Sequence, residues 1–239
     1  TFPMHPGSIA EFGNSFARPG NLLSNGAYVL TEWIPGSVIT MRRNEHYWNN
    51  ANTAIDEVRH HIMTQEMTEL SRYRAGEIDV TGSVPPDSFE QIKEEYGDQL
   101  HVSPYLNLYY YGYNLTKPPF KDSPELRQAL SMAIDRELLV EKVTGRGETP
   151  AYSWVPPGTN NYEPTVFSYA PLNQEERNQI AQSLYKEAGY SEERPLQLEL
   201  RYNTSDTHRR IALAIQSMWR DALGVEVTLI NEEFQVLLA

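Results

Sequence analysis

The sequence predicts an α/β fold, and three observations carry that prediction. Near the carboxyl end, Leu196, Leu198, Leu200 and Tyr202 alternate as one face of a strand. Ile211, Ile215, Met218 and Trp219 then fall at helical spacing, and Val225, Val227 and Leu229 alternate again after Gly224. A strand, a helix and a strand in that order form a parallel β-α-β unit with a right-handed crossover. The second observation is a pair of strand-like runs at 27–33 and 38–43, separated by the turn dipeptide Pro35-Gly36, which reads as a meander. The third is a set of helix starts between these two regions. Ser123-Pro124 offers a capping hydroxyl with proline at the first helical position, and Asn173 followed by Glu176 has the spacing of a capping box.

In chain order, residues 1–24 are rich in Pro, Gly and Ser around an apolar pair, Ile9 and Phe12, and predict a short helix followed by loop. Tyr28, Leu30, Val38, Ile39 and Met41 supply the apolar positions of the meander, and Val58 to Met63 adds a third strand. Residues 65–75 predict a helix through Met67, Leu70 and Arg74, stopped by Gly76. Ile78-Asp79-Val80 then reads as a short buried strand. Pro85-Pro86-Asp87 opens a helix carried by Phe89, Ile92 and Tyr96. Residues 101–113 read as a tyrosine-dense long strand or strand pair, broken at Lys117-Pro118-Pro119-Phe120. The helix from Ser123 buries Leu126, Ala129, Leu130, Ala133 and Ile134, and Asp135 caps a second one through Leu138, Leu139 and Val143 to Gly145. Residues 147–171 form a long loop of Pro, Gly and Tyr, a length that usually signals function. The helix from Asn173 ends near Gly189.

Composition narrows the function classes. A net charge of −12 argues against nucleic acid, whose phosphates demand Lys and Arg, and against an anionic membrane surface. No apolar run approaches the roughly 20 residues of a membrane span. Without cysteine there is no disulfide framework, thiolate metal site or cysteine nucleophile. The 239 residues open at Thr1-Phe2-Pro3 and stop at Leu237-Leu238-Ala239, and are read as an internal piece of a longer protein.

Searches for chemistry return little. No glycine-rich phosphate loop, G-x-S-x-G elbow or H-E-x-x-H motif occurs. His60 and His61 are adjacent on a strand, so they face opposite ways and do not chelate one metal together. Glu90, Glu94 and Glu95, and the pairs Glu175-Glu176 and Glu192-Glu193, read as solvated surface and helix-dipole complement. No cofactor is called for. What remains is a binding pattern. Tyr105, Tyr109, Tyr110, Tyr111 and Tyr113 crowd one extended segment, where rings and hydroxyls either pack across strands or line a cleft. Asn203-Thr204-Ser205-Asp206 follows the first strand of the β-α-β unit, where open α/β sheets place ligands, and also fits simple helix capping. His208 falls in the first turn of the next helix, where it either faces the same cleft or is an ordinary surface histidine.

Taken in order, these pieces resemble the oligopeptide-binding proteins of bacterial ABC importers, the family-5 extracellular solute-binding proteins. The resemblance runs through Asn25-Gly26-Ala27-Tyr28, Arg43-Asn44-Glu45-His46-Tyr47-Trp48, Arg72 to Asp79, Lys117-Pro118-Pro119-Phe120, Arg127-Gln128-Ala129-Leu130 and Ala133-Ile134-Asp135-Arg136. It continues through Pro150-Ala151-Tyr152, Pro156-Pro157, Glu187-Ala188-Gly189-Tyr190 and Tyr202-Asn203-Thr204-Ser205. Each motif alone is weak, but the ordered set covers essentially the whole chain.

The resemblance implies a periplasmic-binding-protein-like type II fold with two lobes of mixed sheets, here incomplete. Residues 1–106 belong to the first lobe, and residues 107–239 are the hinge strand and the first part of the second. It implies that Tyr105 and Tyr110 are cleft tyrosines, with Tyr109 between them, and that Asn203 and His208 face the peptide. Phe234 stands where relatives place a tryptophan, and Gly82 and Ser83 where they offer a tyrosine and an asparagine. The acidic anchor for the peptide's amino terminus falls beyond Ala239. The implied function is a monomeric, non-enzymatic receptor in the periplasm, or a cell-surface lipoprotein, that captures extended oligopeptides for a membrane permease. Murein peptide, nickel, haem and sugar are the alternative ligands, and a peptide hydrolase is the alternative class.

Overall fold

The alternation read at 27–43 and 58–63 becomes a three-stranded antiparallel sheet in a computed structural model that describes residues 4–103 and 105–237. The chain forms two compact units, one ending at Thr64 and the other beginning at Gln65. In the first, helix α1 (Pro6–Phe12) precedes strands β1 (Tyr28–Ile34), β2 (Val38–Arg43) and β3 (Glu57–His61), in the order β1-β2-β3. Tyr28 pairs with Arg43 and Trp33 with Ile39, and a bulge shifts the register between Leu30 and Glu32. The Asn25–Tyr28 and Arg43–Trp48 motifs meet at Asn44, which is buried. Its side-chain amide donates to the carbonyls of Ser24 (3.1 Å) and Gly26 (2.8 Å). Its backbone N–H donates to Ala27, and its Oδ1 accepts from His46 N–H at 3.0 Å. One asparagine thus satisfies backbone groups that the turn leaves unpaired.

The second unit begins with α2 (Glu66–Arg74), which buries Leu70, and α3 (Phe89–Tyr96), which buries Ile92. Its core lies further along. Helices α4 (Pro124–Met132), α6 (Gln174–Glu187) and α7 (Asp206–Leu223) pack with strands β4 (Gln197–Asn203) and β5 (Glu226–Glu232) around Leu126, Leu130, Tyr185, Ile215, Trp219 and Val225. The two strands are parallel, with Leu200 opposite Leu229. Two polar atoms in this core find partners, as burial favours. Trp219 Nε1–H donates to the Leu130 carbonyl at 2.8 Å, and the Tyr185 hydroxyl accepts from Leu196 N–H at 2.8 Å. The expected caps form: Ser123 Oγ accepts from Leu126 N–H, and Asn173 and Glu176 close a full capping box. Helix α8 (Phe234–Leu237) follows β5.

Three expectations need correction. Ile78-Asp79-Val80 is not a buried strand; Val80 is 79% exposed, and the segment has no ladder neighbour among the described residues. Residues 101–113, of which Pro104 lies outside the described residues, form no strand either. Tyrosine alternation is compatible with a strand, but a ladder also needs a neighbouring backbone, and none of the described residues supplies one. The helix capped by Asp135 begins as α5 (Arg136–Leu138) but widens into a π-helical stretch, Leu139–Thr144, before Gly145 ends it at φ +60°.

The long loop 147–171 is ordered by an aromatic–guanidinium cluster. The guanidiniums of Arg136 and Arg177 stack on the Tyr152 ring, 5.2 and 5.1 Å from its centroid. Tyr152 O–H donates to the Glu137 carboxylate at 2.7 Å, Arg177 Nη2 pairs with Glu137 at 2.9 Å, and Tyr169 and Ser131 hydroxyls meet at 2.8 Å.

Candidate functional site

The site grows from the junction of β4 and α7. Hydrophobic alternation ends at Asn203, Thr204 turns the chain, and Ser205 Oγ accepts from His208 N–H at 3.4 Å, starting the helix. The cap sets His208 on the first turn, beside the strand end. There its Nδ1–H donates to Asn203 Oδ1 at 2.6 Å, because a carbonyl oxygen can only accept. That bond fixes the tautomer and leaves Nε2 with its lone pair. The Tyr109 ring lies over the imidazole, centroids 4.6 Å apart and planes at 28°. Burial, with a further push from the positive charge of Arg146, holds the His208 pKa below the usual histidine range, against an opposing pull from Glu66.

Tyr109 and Tyr111 meet in edge-to-face contact at 5.5 Å, while the Tyr110 ring lies against Trp154, centroids 4.7 Å apart. Burial pushes the Tyr109 and Tyr111 phenols up, so both stay neutral hydrogen-bonding groups at physiological pH. Trp154, two-thirds exposed (67%), extends the aromatic surface from loop 147–171.

Gly82 and Ser83 are held by the carboxylates of α2. Gly82 N–H donates to Glu69 Oε1 at 2.6 Å, and Ser83 O–H donates to Glu66 Oε1 at 2.9 Å. Ser83 Oγ also accepts from Arg146 Nη1 at 3.0 Å, and Thr207, next to His208, donates to Glu66 Oε1 at 2.8 Å. The structure thus brings Tyr109, Asn203 and His208 into direct contact, and Ser83 joins them through Glu66 and Thr207. Tyr105 and Phe234 are not drawn in, being 81% and 54% exposed.

Sequence reasoning missed Glu66, Arg146, Thr207 and Trp154. Glu66 reads as an ordinary acid in a helix's first turn. Arg146 and Trp154 carry a faint signal, since one sits between two glycines and the other in the long loop. Thr207 offers none.

Solved neighbours of this fold, a parallel strand pair bracketing a helix with side chains gathered at the strand's carboxyl end, are type II periplasmic binding proteins. The chain belongs to the bacterial extracellular solute-binding proteins, family 5, whose profile, described as the family's "Middle" region, matches residues 2–238. It is 42% identical, over all of its length, to 44% of the periplasmic oligopeptide-binding protein OppA of Escherichia coli (strain K12). The structure of the Escherichia coli murein tripeptide binding protein MppA superposes with a TM-score of 0.92 at 40% identity, covering 99% of this chain and 46% of that one. The unliganded open form of MppA gives a TM-score of 0.59 at 39% identity, with the same coverage. Haemophilus influenzae OppA, solved in complex with RPPGFSPFR, gives 0.89 at 31% identity, covering 99% of this chain and 47% of that one. The chain spans a little under half the length of the curated relatives it matches.

Proposed function

We propose that the protein is a receptor that captures extended oligopeptides between two lobes and hands them to the permease of an ABC importer. The observation that carries this reading is the Tyr109–His208–Asn203 group at the end of β4. It joins a flat apolar ring, a hydrogen-bonding imidazole and an amide, and it places no nucleophile beside a base. Such a group suits an extended backbone with variable side chains, held as an added strand would be, with water filling roomy pockets. Relatives named for oligopeptide binding, one of them solved with a nine-residue peptide, support it.

In this reading residues 1–106 contribute to the first lobe and residues 107–239 provide the hinge and the first part of the second. Tyr105, Tyr109, Tyr110, Asn203, His208, Phe234, Gly82 and Ser83 line the cleft. The protein works as a monomer in the periplasm or as a cell-surface lipoprotein, and it binds without turnover. Murein peptide is the second reading, favoured by the match to MppA at a TM-score of 0.92.

Mass spectrometry of ligand released from natively purified protein, followed by calorimetry with the peptides found, tests both readings. A heterogeneous set of short peptides is expected, and a single muramyl-linked peptide species would favour the second reading. A co-purified metal, haem or sugar, or catalytic cleavage of the peptides during incubation, would overturn the first.

A further inference from the structure

We propose that Glu66 and Asp87, gripped by Arg146, Thr207 and Arg210, form a two-point polar latch that slows release of bound ligand. The proposal rests on the receptor reading above and deepens it. The latch residues act by position, holding the cleft shut from beside the ligand.

The first point is Glu66. Its side chain is only 15% exposed, and its Oε1 accepts from Ser83 O–H at 2.9 Å and Thr207 O–H at 2.8 Å, with Arg146 Nη1 at 3.5 Å. Arg146 is itself fixed by Glu148 (Nε to Oε1, 3.0 Å), by Ser83 Oγ (3.0 Å) and by the Val84 carbonyl (3.2 Å). The second point is the fork of Arg210 on Asp87, Nη1 to Oδ1 at 2.8 Å and Nη2 to Oδ2 at 2.6 Å. The Arg210 grip holds the Asp87 carboxyl below its usual range. A bidentate guanidinium–carboxylate pair is the strongest geometry such a contact has. This pair is the more exposed of the two points and therefore the more screened.

Glu66 lies 80 residues from Arg146 and 141 from Thr207, and Asp87 lies 123 from Arg210. With the lobes divided near residue 106, each of these contacts runs from one lobe to the other. The backbone ladders among the described residues do not, because β1-β2-β3 and β4-β5 each stay within one lobe. Side-chain contacts of this kind form and break as a hinge moves, and they bias a two-state equilibrium by what they contribute in one state only. The coupling to ligand runs through one helical turn. Thr207 bonds Glu66, while the next residue, His208, carries Tyr109 and Asn203. The helix turn that Glu66 holds through Thr207 is thus the same turn that presents His208 to the cleft, so releasing it from Glu66 moves His208, with Tyr109 and Asn203, away from the first lobe.

The test measures peptide release from the purified protein by stopped flow, using a peptide recovered from it. Glu66→Gln is expected to speed dissociation about tenfold, and Asp87→Asn about threefold, with association within about twofold of wild type. Thr207→Val removes one hydroxyl without removing a charge and is expected to speed release about threefold, which keeps the test open should Glu66→Gln fold poorly. In parallel, spin labels at Glu90→Cys and Arg209→Cys report the distance across the latch without ligand. A shift of that distribution to longer distances in Glu66→Gln is expected. Release rates within about twofold of wild type for all three variants, or an unchanged distance distribution, would overturn the latch. Absence of peptide binding by wild-type protein would overturn the receptor reading instead, and the distance measurement would still judge the latch.

Discussion

His208 shows how much one side chain can be asked to do. Its Nδ1–H is spent on Asn203, its ring face on Tyr109, and its charge is disfavoured first by burial and then by Arg146. The folded-state pKa is therefore below the ordinary 6.5, and the unfolded chain takes up the proton first. The stability from a neutral ring is present above pH 6.5 and is lost as pH falls through the depressed value. An NMR titration of the His208 ring should show a midpoint below 6.5, moving upward in Arg146→Gln. Asn44 makes a parallel case for the scaffold. Asn44→Ala strips two donated bonds and one accepted bond, all part-buried, and should cost about 1–3 kcal/mol in urea unfolding. The Asn44 region was legible in the sequence as a motif. Its reason, a side chain standing in for missing backbone partners, required the coordinates.

Among the elements, those whose signals are local came through intact. The capping box at Asn173, the Ser123-Pro124 start and the β4-α7-β5 unit were all readable, because caps and hydrophobic period act within a few residues. Residues 101–113 were misread for the complementary reason: a strand is a relation to another backbone, and tyrosine alternation says nothing about that partner. The same limit hid the site's wider circle. Asn203 and His208 sit five residues apart across a single strand-to-helix turn, which puts both at the strand's carboxyl end, whereas Glu66 and Thr207 are joined only by the fold. Gly224 gives a clean test of an element boundary. It ends α7 at φ +72°, and a Cβ added there would meet nothing within 4 Å. Gly224→Ala should therefore cost about 1 kcal/mol, read as a lower urea midpoint with an unchanged slope, from backbone strain alone.

For the molecule as a whole, the net charge of −12 sets a long-range field. A lysine-rich peptide should associate about tenfold faster than a glutamate-rich one of equal length at low ionic strength. The gap should narrow toward 0.5 M salt (roughly a Debye length of a few ångströms), as stopped-flow association rates would show. Finally, the four tryptophans fall into contrasting settings. Trp219 is 3% exposed and held by a carbonyl in the core, while Trp154 leans on Tyr110 at the mouth of the proposed cleft. An indole buried in the core emits at constant colour, whereas one at a wet rim shifts toward the blue when a ligand displaces its water. Under the proposed receptor function, Trp154 would serve as an optical gauge of occupancy. Trp154→Phe should silence that gauge while leaving the core emission in place.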